Sequence, residues 1–314
     1  MKSYTNAGAA TIHLPPLLVL FFGILIVSTS AIFIRYAQQE AASIVIAAYR
    51  LSIASLILFP IALFGYRAEL RGLTRRQIVL VVLSGIFLAL HFASWITSLE
   101  YTTVASSVVL VSSTPLWVAL LSPLVLRERA TRLVAVGMVF ALIGGTLVGL
   151  SESCRLLAGG MSCPPLSVFF QGEAFLGNLL ALIGAITAAA YLLVGRFLRP
   201  TMSLVVYIFT VYGMAAVALV IMALGSGSPV SGFPGYVYLL FLALAIGPQL
   251  LGHTSFNYGL RYLSAAFISV ALLGEPIGST VLALLILKET PAPLEILGGG
   301  IILIGIYLAS RSQK

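Results

Sequence analysis

Glu275 and Arg50 are ionisable residues inside long apolar runs. An Arg or Asp at the centre of a membrane helix costs about 2.5–3.5 kcal/mol on insertion scales, so such groups are functional candidates by default. Glu275 stands directly before Pro276, which removes one backbone hydrogen bond and predicts a free carbonyl one turn earlier, near Leu272. Two readings of Glu275 stand: a proton site or ligand for a substrate ammonium, and a glutamate that only stabilises a bundle. Arg50 stays charged at any relevant pH. It either binds an anionic group, such as a substrate carboxylate, or snorkels to an interface or pairs locally. His91 and Trp95 are one helical turn apart, as are Gln249 and His253, with Phe256 and Asn257 following. Imidazole, amide and indole together suit a zwitterionic or amphipathic solute. They equally suit interhelix hydrogen bonds.

Other chemistries lack their residues. A metal site is not expected: His13 is the only further histidine, and Glu275 would be the sole carboxylate. The chain has no phosphate-binding loop, G-x-S-x-G or H-E-x-x-H. Neither an enzyme nor a cofactor is expected.

The elements that position these groups follow from composition. The 314 residues are 60% hydrophobic and 8% charged, and the mean hydropathy is +1.12. Soluble domains carry about 25% charged residues. The chain therefore belongs in a bilayer, where a helical span needs roughly 20 apolar residues. The apolar runs are continuous, which excludes the alternating strands of a barrel. Ten runs are expected: Leu17–Ile34, Ile44–Phe64, Ile78–Leu99, Val104–Leu126, Leu133–Leu150, Ala174–Val194, Leu204–Leu224, Tyr236–Tyr258, Ala265–Leu287 and Leu294–Ala309. The first reads as a retained helix rather than a signal peptide.

Ten spans put alternate loops on opposite sides. One side collects 13 of the 17 Lys and Arg, the other Arg35, Arg155 and Lys288, with Arg50 inside a span. The positive-inside rule then places both termini in the cytoplasm. That arrangement also explains the net charge of +8 without a nucleic-acid partner. The loop 151–173 falls outside and holds Cys154 and Cys163. There the two form either a disulfide or a pair of free thiols.

The chain also repeats itself. A shift of 161 residues aligns Tyr101 with Tyr262, Pro115 with Pro276, Glu128 with Glu289, Gly137 with Gly298 and Gly144 with Gly305, without a gap. More weakly it aligns Gly23 with Gly184 and Arg35 with Arg196. Each half holds five spans, an odd number, so the second half enters the membrane inverted. Two such halves exchange outward-open and inward-open forms around a fixed midplane site. The mates of Glu275, Arg50 and His91 are Thr114, Val211 and Gly252. Matched positions are expected to build scaffold and mismatched ones to do chemistry.

The stretch Thr102–Glu128, TTVASSVVLVSSTPLWVALLSPLVLRE, precedes a glycine-rich helix, as does Leu263–Glu289, LSAAFISVALLGEPIGSTVLALLILKE. Both resemble the end of an EamA-type domain of the drug/metabolite transporter superfamily. The resemblance implies ten helices, cytoplasmic termini and a central cavity between the halves. It also implies transport of small metabolites, often efflux of amino acids or related compounds. It makes the fifth and tenth helices peripheral. Their glycines, Gly144, Gly145, Gly149, Gly298–Gly300 and Gly305, serve internal packing or a homodimer interface.

The expected fold is an all-α integral membrane protein of ten transmembrane helices in two inverted five-helix repeats. The expected units are 17–150, an extracytoplasmic loop 151–173, and 174–310. The expected function is a secondary exporter of small metabolites in the plasma (inner) membrane, with proton coupling through Glu275. Membrane lipid is its other contact. The alternatives are a carrier of hydrophobic drugs or a lipid-linked solute, and a non-transporting membrane interaction protein.

Overall fold

The computed structural model describes residues 14–126, 132–151, 154–157, 160–162, 172–263 and 265–311. His13, Glu128 and Cys163 lie outside them. Ten helical spans follow one another. They are α1 (Pro16–Ala37), α2 (Ser43–Gly65), α3 (Arg75–Tyr101), α4 (Val104–Val111 continued by Thr114–Leu126) and α5 (Arg132–Ser151). The second set is α6 (Glu173–Leu198), α7 (Leu204–Gly225), α8 (Gly235–Tyr262), α9 (Ala265–Ala271, Gly274–Leu282 and Ala283–Leu287) and α10 (Pro293–Arg311). Eight are long and apolar enough to cross a bilayer, and α5 and α10 contain shorter apolar segments. Large apolar side chains are exposed in numbers, Phe64, Leu142, Leu239 and Ile221 among them, as a surface facing hydrocarbon allows. A small hairpin, β1 (Arg155–Leu157) against β2 (Gly160–Ser162), follows α5. Cys154, beside it, is buried and disulfide-bonded.

The repeat reappears in the helix ends. α2 starts at Ser43 and α7 at Leu204; α3 ends at Tyr101 and α8 at Tyr262; α4 starts at Val104 and α9 at Ala265. Each pair is 161 apart. The capping is also duplicated. Arg35 Nη1 donates to Leu99 O at 2.5 Å, and its mate Arg196 donates to Leu260 O at 2.8 Å. Gln38 Nε2 donates to Ile96 O at 2.8 Å, and its mate Arg199 donates from Nε to Asn257 O at 2.9 Å. These cations and amides satisfy carbonyls near the last turns of α3 and α8, where helices leave acceptors unpaired.

The halves interleave. α3 packs on α6, α1 on α8, α2 on α7 and α5 on α10, one partner from each half every time. The α5–α10 contact depends on glycine. A Cβ at Gly144 would lie 2.5 Å from Gly298 O, and one at Gly298 would lie 2.6 Å from Gly144 O. The two backbones touch, so these two glycines serve internal packing.

Three spans are interrupted among the described residues. α1 breaks at Ser28–Thr29, where Thr29 Oγ1 donates to Ile26 O at 2.7 Å. α4 breaks at Ser112–Ser113 and α9 at Leu272–Leu273. Of two π-helical stretches among the described residues, Ala283–Leu287 ends α9 and Ala245–His253 lies in α8. The latter surrounds Pro248, which has no N–H to give an α-helical ladder.

Candidate functional site: a cavity between the two repeats

The breaks in α4 and α9 both line one cavity, to which Val111, Ser112 and Thr114 contribute from one side and Leu272 and Glu275 from the other. Pro115 and Pro276 each sit in the first turn after a break, where a missing N–H is harmless. The freed carbonyls are taken up locally. Thr114 Oγ1 donates to Val111 O at 2.8 Å, and at the mate position Glu275 N donates to Leu272 O at 2.9 Å. The Leu272 carbonyl is therefore not left free, contrary to the expectation from the proline alone. The backbone N–H after the break supplies what the proline removes. The Glu275 carboxyl points elsewhere: it lines the cavity and has no hydrogen-bond partner among the described residues.

Aromatic and polar side chains from α3, α6 and α8 complete the wall. His91 and Trp95 stack with planes 8° apart and centroids 6.0 Å apart. His91 Nδ1 lies 3.0 Å from Gly184 O. His253 faces His91 at 6.2 Å between centroids. Tyr191 also lines the cavity, and its hydroxyl donates to Asn257 Oδ1 at 2.8 Å. Asn257 Nδ2 in turn donates to Tyr212 Oη at 3.1 Å. Trp95 Nε1 is buried without an acceptor among the described residues. The cavity thus offers one carboxyl, two imidazoles, a phenol and an unused indole donor, in mostly apolar surroundings.

Arg50 and Gln249 stand behind this wall, outside the cavity lining. Arg50 is fully buried and does not snorkel. Its Nε donates to Gln249 Oε1 at 2.8 Å and its Nη1 to Ser30 Oγ at 2.9 Å. The guanidinium lies over the Phe92 ring at 4.2 Å. It forms no ion pair with Glu275 among the described residues. Phe92 packs against His253 at 5.1 Å, so these two rings separate Arg50 from the cavity.

The face poor in arginine is closed by another set. Arg35 Nη2 pairs with Glu289 at 3.1 Å, and Glu289 also accepts from Val104 N at 3.0 Å. Glu295, 3% exposed, accepts from Thr103 Oγ1 and Ser106 Oγ at 2.7 Å each, and from Ala292 N at 2.8 Å. Sequence reasoning missed Glu295, Ser30 and Phe92. Glu295 follows a loop and reads as a helix-start residue. Ser30 and Phe92 are ordinary residue types whose partners are distant in sequence. Among the described residues no three His, Cys, Asp or Glu side chains converge as metal ligands.

A family model for the EamA-like transporter family matches residues 14–150 and again 175–311. An "Uncharacterized transporter YyaM" of Bacillus subtilis (strain 168) is 24% identical over 271 residues, 84% of this chain and 83% of the relative. An "Uncharacterized transporter" of Archaeoglobus fulgidus is 24% identical over 281 residues, 89% of this chain and 93% of the relative. A solved crystal structure shares the fold at a TM-score of 0.65 and 19% identity, covering 95% of this chain and 99% of its own.

Proposed function

The chain belongs to the EamA-like transporter family, and from that premise we propose that it is a secondary exporter of small polar metabolites such as amino acids. A membrane transporter of this kind is not an enzyme. The observation that carries the finer reading is the cavity set between broken helices of opposite repeats with the Glu275 carboxyl on its wall. A half-buried carboxylate without a hydrogen-bond partner suits a substrate ammonium or a transferable proton. His91, His253 and Tyr191 supply hydrogen bonds for the rest of a small polar solute. Broken helices at a midplane site match the alternating-access logic of inverted repeats. Both termini are assigned to the cytoplasm, with the arginine-rich face inward. The host membrane is the plasma (inner) membrane.

A second reading has one observation in its favour. A groove between α4, α9 and α10 reaches Ser112 and Pro276, next to the breaks that line the cavity. Its lining is mainly apolar, as lateral entry of a hydrophobic or lipid-linked solute requires. Proteoliposome flux separates the two. Saturable counterflow of a neutral amino acid supports the first. Flux of only bilayer-dissolved compounds, insensitive to Glu275→Gln, sinks it.

A further inference from the structure

We propose that Arg50, Gln249 and Ser30 form an anion subsite behind the cavity, fitted to a compact anion: the carboxylate of a solute or a free halide. Arg50 is always cationic and is fully buried. Two of its nitrogens are used, on Gln249 and Ser30. The third, Nη2, is buried and donates to no acceptor among the described residues. Gln249 Oε1 is fixed by Arg50, and its Nε2, buried beside the Tyr212 hydroxyl, makes no hydrogen bond of good geometry among the described residues. Two poorly satisfied donors, one charged, therefore come from groups already bonded to each other, on α2 and α8. A buried charge with an unmade hydrogen bond is strongly destabilising unless something accepts it. The Phe92 ring closes one face of the guanidinium, which leaves its edge as the binding direction.

The repeat separates this cluster from scaffold. Scaffold contacts recur in both halves, as Arg35 with Arg196 and Gln38 with Arg199 do. The mates of Arg50, Gln249 and Ser30 are Val211, Leu88 and Tyr191, so the cluster occurs once. Gln249 also sits on the π-helical stretch of α8, a distortion that recurs at functional sites. Four residues later the same stretch carries His253, which packs on Phe92 and lines the cavity. The anion reaches Arg50 through a shift of these two rings. Glu275 and Arg50 then hold opposite ends of a zwitterion. That last step rests on the carrier reading, while anion binding itself does not.

The test is thermal unfolding of the purified full chain in nanodiscs, titrated with sodium acetate or sodium chloride. Sodium MES, a bulky sulfonate, keeps ionic strength constant. A saturable stabilisation is expected, because a ligand of the folded state raises its stability by mass action. Acetate alone stabilising assigns the site to a solute carboxylate, and both stabilising assigns it to small anions generally. Gln249→Leu is expected to weaken binding about tenfold, the loss of one hydrogen bond to a charged group. Arg50→Lys is expected to weaken it further by removing the planar fork. Should Arg50→Lys not fold, Ser30→Ala provides a milder perturbation with the same direction. No saturable effect of either anion, or an effect unchanged in Gln249→Leu, overturns the subsite and leaves Arg50 a structural clamp. Proteoliposome flux is read separately: anion binding without flux overturns the carrier, and flux without anion binding overturns only the subsite.

Discussion

Glu275 and Arg35 show how burial and partners divide roles among charged residues. The Glu275 carboxyl has no hydrogen-bond partner among the described residues and opens on the cavity, whereas Arg35 is occupied by Leu99 O, Thr102 O and Glu289. Glu275→Gln keeps shape and removes charge and proton. We expect the variant to fold and to lose the response of flux to a pH gradient, measured in proteoliposomes. A variant with an unaltered pH profile would rule out the proton role. At Arg35 the ion pair with Glu289 is about a quarter exposed on each side, and such pairs contribute roughly 0–1 kcal/mol. The two carbonyls matter more, since a last-turn acceptor without a donor is costly. Arg35→Ala is therefore expected to lower the unfolding temperature more than Glu289→Gln. Equal shifts would show that the ion pair, not the carbonyl clamp, carries the effect. Glu275 was legible as an isolated charge beside a proline. The surroundings of Arg50 were not, because Ser30, Phe92 and Gln249 converge on it from three other segments.

At the scale of elements, the breaks and the close approaches have different causes. The breaks in α4 and α9 lie just before Pro115 and Pro276, the prolines that the 161-residue shift aligns, so both halves carry one. The break in α1 has no counterpart in α6, which runs unbroken from Glu173 to Leu198. It lies against α9: a Cβ at Gly278 would stand 2.4 Å from Ser28 Oγ, and Ser279 Oγ donates to Ser28 O at 3.1 Å. No run of residue types in α1 announced this. The α5–α10 pairing makes a sharp prediction. Gly144→Ala places a methyl against the Gly298 backbone, which cannot yield as a side chain would. A loss of roughly 1–3 kcal/mol is expected, the usual cost of overpacking. Gly300, with nothing within 4 Å of a built Cβ, is expected to accept alanine neutrally or with a small gain in helix propensity. Thermal unfolding of both variants in one detergent checks the contrast, and equal losses would refute the close-packing account.

For the whole molecule, the orientation and the disulfide are open to direct measurement. Maleimide labelling of single cysteines introduced near Arg75 and near Glu40 is expected to occur from the inside and the outside of the cell respectively. The reverse pattern would invert the proposed topology. Cys154 is disulfide-bonded, and the chain has one other cysteine, Cys163. Alkylation without reduction is therefore expected to leave the mass unchanged. The sequence by itself determined the membrane class, the ten spans, the 161-residue repeat and its inversion. Those rest on hydrophobicity, helix length and counting, which are local or periodic properties of a chain. Only the tertiary structure decided that the halves interleave and that Glu275, His91 and His253 share one cavity. It alone placed Arg50 behind that cavity with its Nη2 unused. Such facts depend on which side chains from distant spans meet. Packing between spans selects those meetings, and no pattern along a single helix records them.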